Sequence, residues 1–294
     1  MNTRSHITIQ IIRRRGLWAA VAVGAVIGIC LTTIRVESDE PVARTGRPLA
    51  TPDAIRKSAP PRTLADAITF ARAREKSLKH VANYTATFSK TESIERRNVS
   101  QTINLKFREV PFSVYMQYQS KRQPAREVIF VAGKNNDMLM VHESGMWGIV
   151  TLNLKPDAPR VMAESRYPVT EIGIAKMFFT ALAIWEQEKA ISPTTVEVTI
   201  SLREPLGTMA CEVVQVTHTQ RLDGLKFHQT RLFFDKETSL PVQVEQYDWP
   251  KQAGAKPRLV EQYTYTDIKT NAGLTDADFD PHNSDYRFSV SRSR

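Results

Sequence analysis

The stretch YTATFSK (residues 84–90) decides the fold, because apolar and polar side chains alternate along it. Tyr84, Ala86 and Phe88 are separated by single threonines, so these three side chains would project from one side of an extended chain. A strand that is apolar on one side only is typical of an antiparallel sheet that covers a core with one face. The stretch therefore predicts a strand in such a sheet.

The same period of two recurs on both sides of a central helical segment. Residues 103–107 and 112–118 alternate in this way. Residues 127–131 and 138–141 predict a hairpin around KNN (134–136), where asparagine tolerates positive φ. Five further strands are predicted in the second half of the chain, at Val196–Leu202, Cys211–Thr219, Lys226–Phe234, Val242–Tyr247 and Val260–Asp267.

Two segments have helical periodicity instead. Leu64–Val81 predicts an amphipathic helix of roughly 17 residues with Thr63 as its N-cap. A second helix follows Pro168, with Thr170 as its cap, and is apolar over more than half of its circumference, which predicts burial. The order of the elements predicts an α+β fold. So many antiparallel strands would curl or split into two sheets, and the economical solution is one curved antiparallel sheet of about ten strands, with the two main helices on its concave face.

The first 62 residues differ from the rest of the chain in composition. Residues 1–16 are basic, residues 17–34 carry no charge, and residues 35–62 contain five prolines. Eighteen helical residues span roughly 27 Å, close to the hydrocarbon thickness of a bilayer. The positive-inside rule then predicts a cytoplasmic N-terminus (1–16), a transmembrane anchor (17–34), an extended tether (35–62) and, across the membrane, a folded domain (63–294).

Three alternatives to an uncleaved anchor remain open. A cleaved signal peptide would need small residues spaced A-x-A, and no alanine occurs between Ala25 and Ala43. Cys30 would suit a lipidated N-terminus, but Ile29 stands where a small residue is expected. A buried core helix is the third alternative, and nothing amphipathic flanks the apolar run. The uncleaved anchor is therefore preferred.

The formal net charge of +9 is concentrated in the N-terminal segment. Ten of the 40 Lys and Arg residues but only four of the 31 Asp and Glu residues precede residue 63, so the folded body is nearly balanced. Nucleic acid is therefore not an expected partner. The two cysteines, Cys30 and Cys211, do not form a disulfide framework, so the body must be held by its own core.

Five segments together carry a resemblance to a known family. They are YTATFSKTE (84–92), KFR (106–108) with PFSVY (111–115), REVIF (126–130), YPVTEIG (167–173) and NAGLTDADFD (271–280). In these segments the chain is similar to a bacterial family of unknown function, whose members carry an export signal followed by one such domain. The resemblance spans about residues 64–290.

A looser similarity is to the lipoprotein-carrier superfamily of LolA and LolB, and to a related sensor domain that binds lipoproteins in envelope stress. It rests on the early strand and on the turn FDKETSLP (234–241), where Ser239 replaces a frequent glycine. The similarity implies a LolA-like half-barrel whose apolar hollow receives acyl chains. A strongly curved sheet also leaves a hollow for helices or a ligand to fill. Eight residues are expected to line this hollow, although each could instead belong to the hydrophobic core. They are Tyr84, Phe88, Leu105, Phe107, Val114, Met116, Phe178 and Trp185.

The sequence contains no catalytic, metal or cofactor motif that is specific enough to name a reaction. There is no G-x-S-x-G, and Ser144 beside His142 is interpreted as loop. His218 and His228 lie in neighbouring predicted strands. A two-residue turn at Asp223-Gly224 would pair residues whose numbers sum to 447, so that His218 would lie opposite Gln229 and His228 opposite Thr219. The two histidine side chains would then project from opposite faces of the sheet. Neither a metal nor a cofactor is expected.

Charged residues of the family-like segments are the remaining candidates for chemistry. Paired carboxylates could serve acid–base chemistry on a glycosidic bond, but strand and cap positions account for them, with nearby lysines and an arginine as ion-pair partners. The acidic residues 276–280 are interpreted as a capped turn beginning at Thr275, because a calcium loop needs a Gly and a Glu that are missing. The family-like polar positions are Lys90, Glu92, Lys106, Arg108, Glu127 and Glu171.

The preferred hypothesis is a non-enzymatic protein of the bacterial inner membrane, with a single span at residues 17–34. Its periplasmic C-terminal domain would bind a lipid or a lipidated partner, such as a lipoprotein, in the apolar hollow. One alternative is an envelope interaction or sensor module with a closed core. Another is an uncharacterised envelope hydrolase in which two of Glu92, Glu127 and Glu171 converge. The sequence leaves the oligomeric state open.

Overall fold

The computed structural model describes residues 62–288, with gaps at 96, 121–125, 146–147, 192–194 and 253. The predictions for the cytoplasmic N-terminus, the anchor and the tether, apart from Arg62, lie outside these residues. Within the described part, no helix is both long enough and apolar enough to cross a bilayer.

A single antiparallel sheet of 11 strands dominates the fold, in the order β6-β5-β4-β3-β2-β1-β11-β10-β9-β8-β7. The sheet is open, with β6 and β7 as its end strands. The prediction of about ten strands missed β6 alone. The strands are β1 Asn83–Ile94, β2 Arg97–Arg108, β3 Ser113–Tyr118, β4 Glu127–Val131, β5 Leu139–Gly145, β6 Gly148–Leu154, β7 Val196–Leu206, β8 Met209–His218, β9 Gln229–Asp235, β10 Pro241–Asp248 and β11 Arg258–Thr270.

The sheet is strongly curved, because distant strands line one small cavity. Leu154 of β6 and Val244 of β10 both contribute to it. Seven strand spacings separate β6 from β10 in the sheet. On a flat sheet those strands would lie roughly 34 Å apart, far more than such a cavity spans. The curvature predicted from the number of antiparallel strands is therefore present.

The helices are α1 Leu64–Arg72, α2 Pro159–Met162 and α3 Ile174–Ile191. Helices α1 and α3 contact each other and strands β7 to β10. Met177 and Ala181 of α3 line the cavity, which places that helix on the concave face. Trp185 and Phe178 of α3 are fully buried in the same core cluster as Leu64 of α1. Both main helices thus cover the hollow side of the sheet.

The first helix is shorter than the sequence predicted. Its capping box joins Thr63 and Asp66 as expected, but the α-helix ends at Arg72 rather than near Val81. The next turn places the Arg74 guanidinium over the Phe70 ring at 3.4 Å, and its Nη1 donates to the Phe70 carbonyl at 2.7 Å. This side chain competes with the backbone for hydrogen bonds, and the chain continues as a 3-10 helix at Glu75–Leu78.

The prediction that Thr170 caps the second helix is wrong. Thr170 lies in a short 3-10 helix, Val169–Glu171, and makes no side-chain capping bond there. The first N–H groups of α3 instead donate to tyrosine hydroxyls of the sheet. Gly173 N donates to Tyr265 Oη at 3.2 Å, and Ile174 N donates to Tyr84 Oη at 3.0 Å. Long-range partners therefore supply the cap.

The predicted two-residue turn between β8 and β9 is also wrong. The connection runs from residue 219 to residue 228, and the register pairs Thr217 with Gln229. The paired residue numbers therefore sum to 446 rather than 447. His218 N donates to the His228 carbonyl at 2.9 Å, so the two histidines are opposite each other rather than on opposite faces.

Strands β3 and β4 are buried on both faces, so one-sided alternation fails there. The C-terminal residues 274–288 cover the side that faces away from α3. Phe279 and Phe288 pack with Tyr115 and Ile129 in a separate apolar cluster. The predicted capped turn is confirmed, since Thr275 and Asp278 form a capping box at the 3-10 helix Asp276–Phe279.

Candidate functional site

A cavity of about 160 Å³ lies between the concave face of the sheet and residues 155–173, hereafter the covering segment. Most of its lining is apolar, and a volume of this size admits a benzene-sized molecule. The polar lining groups come from several strands, among them β1, β2, β5 and β11, and from the covering segment. Six of the apolar wall residues are Phe88, Ile103, Met116, Val128, Val141 and Met177.

A buried ion pair lies at one side of the cavity. Lys90 Nζ donates to Glu92 Oε2 at 2.9 Å, and the two side chains are 7% and 1% exposed. Tyr263 Oη donates to Glu92 Oε1 at 2.5 Å, and the backbone N–H of Arg166 donates to Glu92 Oε2 at 3.3 Å. Burial lowers the pKa of Lys90, and the Glu92 carboxylate opposes that shift. The pair therefore ties the covering segment to strands β1 and β11.

A second buried carboxylate, Glu261, holds the next residues of the covering segment. Arg166 Nε donates to Glu261 Oε2 at 2.5 Å, and Tyr167 Oη donates to Glu261 Oε1 at 3.1 Å. Burial raises the pKa of Glu261, and the Arg166 guanidinium opposes this. Burial and the nearby Glu261 carboxylate raise the pKa of Tyr167 to about 12.

The cavity reaches the surface at a network of two arginines and two glutamates. Arg126 Nη1 contacts Glu164 Oε2 at 2.5 Å, and Arg126 Nε lies 3.4 Å from Glu143 Oε1. Arg160 Nη2 contacts Glu143 Oε2 at 2.6 Å. The side chains of Arg160 and Glu164 are 61% and 41% exposed, whereas that of Arg126 is 11% exposed. A ligand that enters on this side of the cavity would meet these groups first.

The expected lining residues fall into two groups. Phe88 and Met116 line the cavity. The other six are buried in the surrounding core cluster and support its walls: Tyr84, Leu105, Phe107, Val114, Phe178 and Trp185.

The family-like charged positions are divided between the two faces of the sheet. Lys90, Glu92 and Glu171 line the cavity, and Lys90, a candidate ion-pair partner of the three glutamates, pairs with Glu92. Glu171 pairs instead with Lys176 at 3.1 Å. Glu127 lies on the other face, where its Oε2 accepts the backbone N–H of Arg287 at 3.0 Å.

Two of the basic family-like positions have different partners from those expected. Lys106 Nζ contacts Asp278 at 2.8 Å, and Arg108 Nη1 contacts Asp276 at 2.8 Å. Both therefore fasten the C-terminal segment to the sheet. Their carboxylate partners lie about 170 residues away in sequence, so local spacing did not reveal them.

The covering segment was missed by sequence reasoning, apart from its end at YPVTEIG (167–173). It contains Pro156, Pro159 and Pro168, which argue against a long helix or strand, and three charged residues within 160–166. Such a pattern indicates a surface connection and gives no sign of what the connection covers. The two carboxylates that hold it are on β1 and β11.

Among the described residues, no group of three or more His, Cys, Asp and Glu side chains is arranged to hold a metal ion. His142 is buried against the Phe288 ring, with 5.9 Å between ring centroids. His218 Nε2 lies 3.1 Å from Oε2 of Glu188 on α3, and both side chains are buried. These histidines occupy core positions.

The fold and the site define an open antiparallel half-barrel that encloses an apolar cavity beneath a polar-anchored covering segment. The family described as "Protein of unknown function (DUF1571)" matches residues 81–288. The chain belongs to this family, which confirms the resemblance to a family of unknown function. No curated protein matches the sequence.

Several solved structures are similar to the chain at low identity. A DUF1329 family protein from Desulfovibrio piger is 8% identical, with 74% of this chain and 97% of that chain covered and a TM-score of 0.34. The lipoprotein LppX of Mycobacterium tuberculosis is 10% identical, with 72% and 98% covered and a TM-score of 0.39. A LolA superfamily protein from Nitrosomonas europaea is 9% identical, with 71% and 97% covered and a TM-score of 0.21. These scores carry no functional argument.

Proposed function

We propose that the domain binds a lipid, or the acyl part of a lipidated partner, in this cavity and performs no chemistry on it. We further propose that residues 17–34 anchor the chain in the bacterial inner membrane, with the domain in the periplasm. The observation that supports the binding function is the apolar cavity of about 160 Å³ beneath a segment held mainly by polar contacts.

Burial of apolar surface would drive binding. Each methylene removed from water contributes about 0.8 kcal/mol. The cavity admits a benzene-sized portion of a ligand, so a longer acyl chain requires the covering segment to move. The contacts of residues 164 and 165 with Lys90 and Arg126 can be exchanged for water or for ligand groups.

The two alternatives receive less support. A closed-core module predicts a filled hollow and one exposed apolar patch. Among the described residues, the three most exposed large apolar side chains, Val110, Leu202 and Phe179, lie in different parts of the fold. A hydrolase needs two convergent, available carboxylates. Glu127 lies away from the cavity, and Glu92 already accepts hydrogen bonds at both oxygens.

Native mass spectrometry of the full chain, extracted in mild detergent, tests the binding function. We expect co-purified lipid in the wild type. Thr180→Trp would narrow the cavity, which Thr180 lines, and we expect it to lose most of that lipid. Ala183→Trp is the matched control, because Ala183 is also exposed on α3 but does not line the cavity. A wild type without bound lipid that also fails to crosslink to a photoreactive acyl probe would contradict the proposal.

A further inference from the structure

Three side chains from different parts of the sheet converge on residues 164 and 165 of the covering segment. Gln101 Nε2 of β2 and Arg126 Nη1, just before β4, donate to Glu164 Oε2 at 3.3 and 2.5 Å. Lys90 Nζ of β1 donates to the Glu164 carbonyl at 3.0 Å and to Ser165 Oγ at 2.9 Å. Two of the three donors thus bind the Glu164 carboxylate, and the third, Lys90, binds the backbone and side chain next to it at the cavity wall.

The donors are held in place more firmly than the carboxylate that they bind. The side chains of Lys90 and Arg126 are 7% and 11% exposed, whereas that of Glu164 is 41% exposed. The Arg126 guanidinium also lies 4.8 Å from the centroid of the Tyr118 ring. A buried, stacked guanidinium is a preorganised partner for a carboxylate or a phosphate. Glu164 is therefore the partner that can leave.

Charge balance specifies what can replace it. Arg126 and Arg160 share Glu143, so withdrawal of Glu164 leaves two guanidinium groups facing one carboxylate. Lys90 would lose two of its acceptors in the same movement. A neutral replacement would leave the buried guanidinium of Arg126 with Glu143 alone, a carboxylate that it shares with Arg160, and such incomplete compensation is unfavourable. One incoming negative charge restores the balance.

We propose that the anionic head group of an acyl ligand, a carboxylate or a phosphate, binds to Lys90, Gln101 and Arg126 in the place of Glu164. The Glu164 carboxylate is then an internal competitor that closes the cavity in the absence of ligand. This inference rests on the proposed function, because it names the ligand class for the same cavity.

The rest of the covering segment can stay in place during this exchange. Arg166 and Tyr167 are bonded to Glu261, and the start of α3 is bonded to Tyr84 and Tyr265. None of these contacts involves the donors that Glu164 occupies. The movement is therefore confined to residues 155–165, which include α2.

The test compares two probes of equal chain length, dodecanoate and 1-dodecanol, by calorimetric titration of the full chain held in amphipol. We expect the wild type to bind dodecanoate roughly tenfold more tightly than dodecanol, which is the scale of a charge-assisted hydrogen bond. Glu164→Gln removes the competitor and should widen this preference by roughly fivefold. Acetate and inorganic phosphate alone should show no measurable binding at the concentrations that saturate with dodecanoate.

Two further variants separate the head-group site from general loosening. The double variant Arg126→Gln with Glu164→Gln removes both charges together, which preserves folding better than loss of one partner. Its preference for dodecanoate should fall well below that of Glu164→Gln, with Lys90 as the remaining cation of the site. Glu186→Gln is the matched control, since Glu186 is 39% exposed and pairs with Arg72 outside the cavity. It should behave as the wild type.

The outcomes distinguish failure of this inference from failure of the binding function. Equal binding of dodecanoate and dodecanol by the wild type, or an unchanged preference in Glu164→Gln, would overturn the head-group site and leave lipid binding intact. Binding of neither probe by any variant would overturn both. Binding of acetate or phosphate as tight as that of dodecanoate would overturn the acyl ligand, because the anion alone would then suffice.

Discussion

Lys90 and Glu92 lie two residues apart on β1, and their side chains meet at 2.9 Å inside the protein, on the face that lines the cavity. Residues at this spacing project from the same face of a strand, so local geometry alone brings them together. Their burial comes from the covering segment and from β11. The pairing of the two side chains is therefore local, whereas their burial depends on segments that are distant in sequence.

Lys90→Met should lower the free energy of unfolding by about 3 kcal/mol or more, because it leaves Glu92 buried without its cation. Lys79→Met is the control, since Lys79 is exposed. Chemical denaturation of both variants gives the comparison. Adding Glu92→Gln to Lys90→Met should recover part of the loss, and a double variant at least as unstable as the sum of the singles would show that the two residues act independently.

Alkaline titration should show delayed ionisation of tyrosine in the folded protein. Burial raises the pKa of all eight tyrosines, and it raises those of Tyr167 and Tyr247 to about 12 with help from Glu261 and Glu245. The unfolded chain loses these protons near pH 10. The folded state therefore favours the protonated hydroxyls. Their contribution to the free energy of unfolding is fully present below about pH 10 and is lost as the pH rises toward 12.

The measurement is the absorbance of tyrosinate at 295 nm. We expect little ionisation near pH 10 in buffer, then a steep rise that coincides with the loss of far-ultraviolet circular dichroism. In concentrated guanidinium chloride the same chain should titrate smoothly around pH 10. A smooth titration of the native protein near pH 10 would contradict the buried environments of these hydroxyls.

Gly173→Ala should destabilise the junction between the covering segment and α3. Gly173 has φ +134°, a conformation that side chains rarely adopt, and an added Cβ would lie 3.0 Å from the Phe107 ring. Strain at such a position costs of order 1–3 kcal/mol, and displacing the buried ring adds to it. Thermal and chemical denaturation measure the loss.

Gly133→Ala is the matched control for this substitution. Gly133 also has a positive φ, +77°, but an added Cβ there meets no atom within 4 Å. It should lose only the backbone contribution, about 1 kcal/mol. Equal losses in the two variants would mean that the contact with Phe107 contributes nothing.

Phe279→Ala should destabilise the protein by about 3 kcal/mol without changing lipid binding. Its ring is 4% exposed and packs in the apolar cluster beneath the C-terminal segment, on the face away from the cavity. Val110→Ala is the control, since Val110 is 81% exposed and its truncation should cost less than about 0.5 kcal/mol. A loss of bound lipid in Phe279→Ala under conditions where it remains folded would mean that the two faces are coupled.

Alternation and capping patterns predicted the local elements well. The stretch at residues 84–90 does lie in a strand with alternating burial, and the capping residues Thr63 and Thr275 act as predicted. These features succeed because each depends on neighbours within a few residues. Predictions that depended on a distant partner were wrong in two places, the cap of α3 and the register of His218 with His228.

The sequence by itself determined the class of fold, since strands apolar on one face, many in succession with two main helices, can bury that face only by curving around a common core. The tertiary structure alone decided which charges meet, where the cavity opens and what covers it. Lys106 reaches Asp278, and Arg166 reaches Glu261, across long stretches of chain. Such contacts depend on the register and the curvature of the whole sheet, which no local pattern of residues encodes.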